Sequence, residues 1–538
     1  MRRRASCGLC LVVLLLAVHG TRASAQDLPA QDQRYDLEVT LDPAQHEVAG
    51  SERIHFVNHA ARAVTELYFH LYPNAFAGKG TVFMREGGTR LRDGKLAHPG
   101  GIVLQELSAG GSDLLAHAEP ELIAGDRTQL RVKLPEPLAP GAALDVVVRF
   151  RTRLPSLVSR AGFSGDFFMV AQFFPKLARL EPDGRWASFP YHGLGEFYAD
   201  FADYTLRVRA PARFVIASGG RELGVQRDGD QLMHTFAARS VQDVAFAAYP
   251  YFVRSDSVHD GVSLRVFAPV GYDAAAARQT RVVRASLTHF AALFGRYPYD
   301  TLCVILPPRE GHEAAGMEYP GLVVTAGPWW ALPDALPDPE QDLVASHEIA
   351  HQWFSVMLGS NEVESPVLDE GLAEWATFDL ERRMFAGSST LGALRLSSHD
   401  LLDVARASLH IVEDHVPSSL LPAYRYKYED LARAVYVRPV VVLDDLERRR
   451  GRAKLEQALG RYAREQRFRH PTLAELYAGF DHVYGAGFAE RELQPALEGR
   501  LDSRPARAAA GLAAQTRQPS LFADLLFAAQ ALLQGFGP

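Results

Sequence analysis

The sequence predicts a multidomain α+β protein, with a β-rich N-terminal half followed by a mainly helical half. Three observations carry this. The chain has 538 residues, too many for one core at roughly 150 residues per domain. From Tyr35 to about Val253, short runs alternate apolar and polar residues with period two. Beyond that point the apolar residues recur at helical spacing, and from Pro339 to about Arg500 the chain reads as one helix after another. The expected divisions are a leader over 1–25, a β-rich domain over 26–253, a helical domain over 254–502, and a terminal stretch over 503–538.

Taken in order, the leader comes first. Arg2, Arg3 and Arg4 precede an apolar run from Leu9 to Val18, and Ala23-Ser24-Ala25 supplies the small residues at which a signal peptidase cuts. That run is shorter than the ~20 residues needed to span a bilayer. Export with cleavage, to a periplasm or beyond the cell, is therefore expected, with no stable membrane span afterwards. Cleavage removes four arginines and no acid, which shifts the net charge from -7 to -11. So acidic a chain is not expected to bind nucleic acid. It also leaves Cys303 as the lone cysteine, so no internal disulfide is expected.

In the β-rich half, Tyr35 to Leu41, Arg53 to Val57, Leu144 to Phe150 and Tyr204 to Val208 read as strands. Gly- and Pro-rich loops separate them without a fixed repeat, which favours a sandwich or saddle-shaped sheet over a propeller. Asp273 is the expected cap of a helix running through Val282, Leu287 and Phe290 to Gly295. A strand is expected from Leu302 to Leu306. Asp338 and Pro339 then mark the start of a further helix, whose apolar run ends at Gly359. The stretch 503–538 reads as a linker and an amphipathic helix.

That last-named internal helix carries His347-Glu348-Ile349-Ala350-His351. Histidines four apart share a helix face with Cβ atoms about 6 Å apart, so both imidazoles reach one zinc ion at ~2.0–2.1 Å. Glu348 lies one step round the helix, within reach of a water at that ion. A third protein ligand is needed to leave one open position, and Glu370 follows after eighteen intervening residues. A histidine six residues past His351 would suit a different ligand set, but that residue is Met357, so a carboxylate is the expected third ligand. Glu362, Glu364 and Glu374 compete as solvated or outer groups. His312-Glu313 resembles the start of a second motif, but Gly316 stands where its partner histidine would be.

The motif, its spacing to Glu370, and two further landmarks resemble the zinc aminopeptidases of the aminopeptidase N and leukotriene hydrolase type, a gluzincin group with thermolysin-like catalytic domains. The landmarks are Gly316-Met317-Glu318-Tyr319-Pro320, similar to that family's G-x-M-E-N motif, and Tyr436, sixty-six residues past Glu370. The resemblance covers about residues 30 to 500 and implies a β-rich domain followed by a thermolysin-like zinc domain. It also implies one zinc ion per chain and peptide substrates. Glu318 would bind the substrate's α-amino group, while the backbone of Gly316 and Met317 would pair with the peptide as an extra strand. Glu348 would act as general base and then acid, and Tyr436 as oxyanion donor. Tyr424, Tyr426 and Tyr428 are rivals to Tyr436.

Some residues depart from the family pattern. Tyr319 replaces Asn, Asp369 replaces the Asn before the third ligand, and Arg438-Pro439 replaces Lys-Gly. Phe174, in Gln172-Phe173-Phe174-Pro175, stands where many members have a second amine-binding acid, so amine recognition rests on Glu318 or borrows Glu310 or Glu313. An endopeptidase or epoxide hydrolase on the same zinc scaffold is the alternative within enzymes. A zinc-containing peptide-binding module without catalysis is the alternative outside them. The intact Glu348 and Tyr436, the open coordination position and the lack of a fourth protein ligand weigh against that module.

Overall fold

The computed structural model describes residues 28–86, 96–120, 126–328, 339–384 and 416–500, with residues 402, 405, 406 and 409 besides. The expected leader, the Asp338 cap and the stretch 503–538 lie outside them. Among the described residues no helix is long and apolar enough to cross a membrane.

Period-two alternation builds the N-terminal half. Strand Arg34–Asp42 buries every second side chain, and it pairs antiparallel with Glu47–Val57 and parallel with Ala202–Pro211. Extended on both sides, these make an eight-stranded sheet, and the strand Val64–His70 centres a separate four-stranded sheet. Leu37, Ile54, Val148 and Phe150 from the large sheet meet Leu67, Phe69 and Val132 from the small one in a shared core. The result is the expected sandwich.

β structure continues past Val253. The hairpin of Phe252–His259 and Val262–Pro269 begins another four-stranded sheet, completed by Thr301–Ile305 and Leu322–Val324 in parallel. Among the described residues, six longer helices belong to this half: α1 (Asp273–Phe294), α2 (Pro339–Phe354), α3 (Glu370–Met384), α4 (Arg438–Arg450), α5 (Arg452–Glu465) and α6 (Leu473–Tyr484). The cap of α1 is Tyr272, and Asp273 is its first helical residue, where its charge suits the helix N-terminus. Gly295 ends the helix at φ +100°, a conformation that favours glycine. Helix α2 stops at Phe354, five residues short of Gly359, and the chain turns there.

The second core fixes where α2 lies. Phe290 and Phe294 of α1 pack edge-on against Trp353 and Phe354 of α2, at 5.8 and 4.7 Å between ring centroids. Ile349, Ala350 and Trp353 join Leu372, Ala373 and Ala376 of α3 in the same cluster. Helix α2 is thus enclosed, and its histidines open onto the space between α2 and α3.

Candidate metal centre

The spacing of four puts His347 and His351 on one face of α2, with ring centroids 4.5 Å apart. Their Nε2 atoms are 2.9 Å apart, and Glu370 Oε2, on the first residue of α3, lies 3.1 Å from each. These atoms form a nearly equilateral triangle. A tetrahedral cation bonded at ~2.0–2.1 Å holds its ligand atoms ~3.3 Å apart, so a zinc ion just above this triangle reaches all three with little adjustment. The donor set of two imidazoles and one carboxylate suits zinc, and it leaves a fourth position for another ligand.

Two outer carboxylates orient the imidazoles. Asp369 Oδ1 accepts from His351 Nδ1 at 2.6 Å, and Glu374 Oε2 stands 3.0 Å from His347 Nδ1. Each histidine therefore keeps Nε2 turned inward, as a metal ligand requires. Glu374 sits one turn after Glu370 on α3, so the i, i+4 relation could have been read from the sequence. Glu362 is buried as well, whereas Glu364 is exposed.

The electrostatics agree with a cation site. Burial opposes ionisation of Glu370, but His351 and His347 outweigh it and hold the carboxyl well below the usual range. Burial and His351 would both lower His347, yet Glu370 and Glu374 lift it to about 9. Buried acids here outnumber the imidazoles, an imbalance that a divalent cation offsets. Burial also pushes the Glu348 carboxyl up, to about 8, against the pull of His347.

Tyr436 lies on a π-helical turn, Ala432–Val437, that leads into α4. Such turns re-aim side chains within a helix and recur at functional sites. Its ring stacks on His347 at 5.9 Å between centroids, and burial, with the nearby Glu370 carboxylate, holds its phenol well above the usual range. Its rivals lie elsewhere. Tyr424 is exposed and stacks on His192, and the Tyr426 hydroxyl donates to Ser418 O at 2.6 Å. The side chain of Tyr428 is outside the described set. Gly371 allows α3 to approach this turn, because a Cβ there would lie 2.9 Å from Pro439 Cγ and 3.0 Å from Val435 O. Arg438, which replaces the family's Lys, clasps the carbonyls of Val416 and Pro417.

The segment with Glu318 is tied directly to α2. Gln352 Nε2 donates to the carbonyls of Glu318 and Tyr319, both at 3.3 Å, and Gln352 Oε1 accepts from Gly321 N at 3.0 Å. One residue after a metal-site histidine thus positions Glu318, which is 6% exposed. Of the backbone expected to pair with a peptide as an extra strand, the amides of Gly316 and Met317 both donate to Val324 O, at 2.8 and 3.2 Å. Gly316, at φ +73°, supplies the turn that makes this double contact.

Phe174 is fully buried in the sandwich core, edge-on to Phe173 and Tyr204. Glu310 accepts from Tyr249 OH at 3.1 Å, and His312 is an exposed residue of a 3-10 turn. Sequence reasoning missed the pair that the β-rich half sends toward the site. Arg160 and Glu196 are both buried and in contact. Arg160 donates its amide to Glu313 O at 3.1 Å, and its carbonyl accepts from Tyr319 OH at 3.3 Å. Burial works against its guanidinium, and the charge of Glu318 favours it.

No family model matches the chain. Two curated relatives do. Aminopeptidase 2 of Candida albicans is 24% identical over 268 residues, 47% of this chain and 28% of that protein. Aminopeptidase N of Haemonchus contortus is 28% identical over 145 residues, 26% of this chain and 14% of that protein. The alignments thus span less than a third of either relative. Among solved structures, the M1 zinc metallopeptidase of Deinococcus radiodurans superposes with a TM-score of 0.59 at 20% identity, covering 88% of this chain and 94% of that one. A mutant form of it bound to a Tyr-Ser-Ala substrate gives 0.60 at 20% identity, with the same coverage. The chain has the fold of these M1 zinc metallopeptidases, a β-rich region followed by a helical one.

Proposed function

We propose that the chain is an exported zinc metallopeptidase that removes N-terminal residues from peptides, with His347, His351 and Glu370 as the metal ligands. The triangle of ligand atoms with edges of 2.9–3.1 Å is the observation that carries this. When bound, zinc supplies Lewis acidity toward a scissile carbonyl and lowers the pKa of a water towards 7. Glu348, next to His347 and buried, takes the proton of the attacking water on its carboxylate and returns it to the leaving amine. The Tyr436 hydroxyl donates to the oxygen on which charge develops, held in place by its turn and by His347. Asp369 and Glu374 keep both imidazoles in the ligating tautomer. Glu318 pairs with the substrate's α-ammonium, which limits cleavage to the chain end.

The Arg-rich start and apolar run before Ala25 support export, and the acidic chain, left with Cys303 alone once that segment is cleaved, fits a periplasm or the cell exterior. Purified protein should carry one zinc per chain and hydrolyse aminoacyl fluorogenic substrates, with loss of activity under a chelator and recovery on adding zinc. Folded protein that takes up no zinc would overturn the reading. Weak preference for free over N-blocked substrates would favour the endopeptidase alternative.

A further inference from the structure

Beside the metal triangle lies a second group of converging side chains. Oxygens of Glu318 and Asp369 and a ring nitrogen of His351 all lie within 4.8 Å of one another. Glu318 is 6% and Asp369 2% exposed. Among the described residues no basic side chain comes within 4.0 Å of the Glu318 carboxylate, and no hydrogen-bond donor reaches it. The nearby Arg160 is committed to Glu196. A carboxylate this buried and unpaired is costly unless a ligand completes it.

An ammonium suits two buried carboxylates whose oxygens lie within 4.8 Å of each other. An ammonium that donates to two carboxylate oxygens at ~2.8 Å along tetrahedral directions holds them ~4.6 Å apart. A second divalent ion fits less well, because His351 Nδ1 is engaged by Asp369 at 2.6 Å while Nε2 belongs to the triangle with His347 and Glu370. We propose that Asp369 is a specificity-determining residue: with Glu318 it forms a two-carboxylate cradle for the primary ammonium at the substrate's N-terminus. The inference rests on the peptidase reading and adds to it. Asp369 has two tasks, one oxygen on His351 Nδ1 and its charge on the substrate, and Asn at this position could perform only the first.

Direct binding tests this without turnover. In the zinc-loaded Glu348→Gln chain, calorimetry measures Kd for L-leucinamide and for N-acetyl-L-leucinamide. Adding Asp369→Asn is expected to weaken L-leucinamide at least tenfold and the acetylated ligand less than threefold, with one zinc per chain retained, since Asn can still accept from His351. Adding Glu318→Gln should do the same, and the double change should lose less than the product of the two. An unchanged L-leucinamide Kd on Asp369→Asn, equal weakening of both ligands, or a second zinc lost with Asp369→Asn would each overturn the cradle. Failure of L-leucinamide to bind the parent would also overturn it, yet chelator-sensitive cleavage of an N-blocked peptide would leave the peptidase reading standing. A wild-type chain without zinc would sink that reading itself.

Discussion

Gly371→Ala tests whether the close approach of α3 to the Tyr436 turn sets the geometry of the site. The new Cβ would stand 2.9 Å from Pro439 Cγ, 3.1 Å from Pro439 Cβ and 3.0 Å from Val435 O. Ordinary carbon contacts fall at ~3.5–4.0 Å, so α3 and the turn must part by roughly 0.6–1 Å. Neither a proline ring nor a backbone carbonyl yields as a flexible side-chain end would. Overpacking costs about 1–3 kcal/mol, and replacing glycine within a helix returns about 1 kcal/mol, leaving a net loss of roughly 0–2 kcal/mol. The effect on chemistry is expected to be larger, because Gly371 follows Glu370 and the parting separates this ligand from Tyr436. Misplacement by about 1 Å can cost 10²-fold, so kcat/KM on an aminoacyl fluorogenic substrate should fall about ten- to a hundredfold. Zinc affinity, measured by competition with a chelator, should fall alongside it, while the urea midpoint shifts little. Wild-type kcat/KM in this variant would refute the idea that this contact positions the site.

Three further changes follow from the same geometry. Glu348→Gln should retain zinc and lose about 10²–10⁴-fold in kcat, the usual range for a general base; near-normal turnover by metal-loaded protein would exclude Glu348 as the base. Tyr436→Phe should lower kcat about 10²–10³-fold with little change in KM, as expected for a donor used mainly in the transition state; a change confined to KM would point to substrate contact instead. Asp379 of α3 accepts from both terminal nitrogens of Arg452 at 2.7 Å and from His289 at 2.9 Å. Burial opposes its ionisation, but Arg452 and His289 outweigh this and hold its pKa below the ordinary value. Its stabilisation is therefore present above an unfolded pKa of about 3.9 and fades as pH falls below that. Asp379→Asn should cost roughly 1.5–3 kcal/mol in urea unfolding at pH 7 and clearly less near pH 3; equal losses at both would contradict the charge argument.

What the sequence made legible was what local periodicity determines. The four-residue step of a helix gives His347 and His351 a common face, and Glu370 is found by asking where a third ligand could begin another helix. The strands Tyr35 to Leu41 and Tyr204 to Val208 follow from alternation, although their parallel pairing across more than 160 residues has no local signal. The hairpin after Val253 was harder to read. Its first strand is largely exposed, so no alternation marks it, and Val262–Pro269 is nearly all buried, which a short apolar run does not distinguish from a helix. Gln352 could have been weighed, because it follows a metal-site histidine, but its partners, residues 318–321, lie more than thirty residues away in the sequence.

Arg160 had no sequence signal, and the reason is physical. Ser159 and Arg160 both adopt left-handed backbone, at φ +43° and +74°, which costs roughly 1–2 kcal/mol for each non-glycine residue. No propensity rule places two such residues in succession, so only surrounding contacts can hold them. Those contacts come from the other half of the molecule, through Glu313 O and the Tyr319 hydroxyl, which flank Glu318 on either side. Glu318 is therefore held from two directions, by Gln352 of α2 and by this strained turn of the β-rich half. Arg160 is thus buried, at this backbone cost, against the segment of the helical half that bears Glu318. The strain and the clamp together make the β-rich half part of the machinery that aims Glu318.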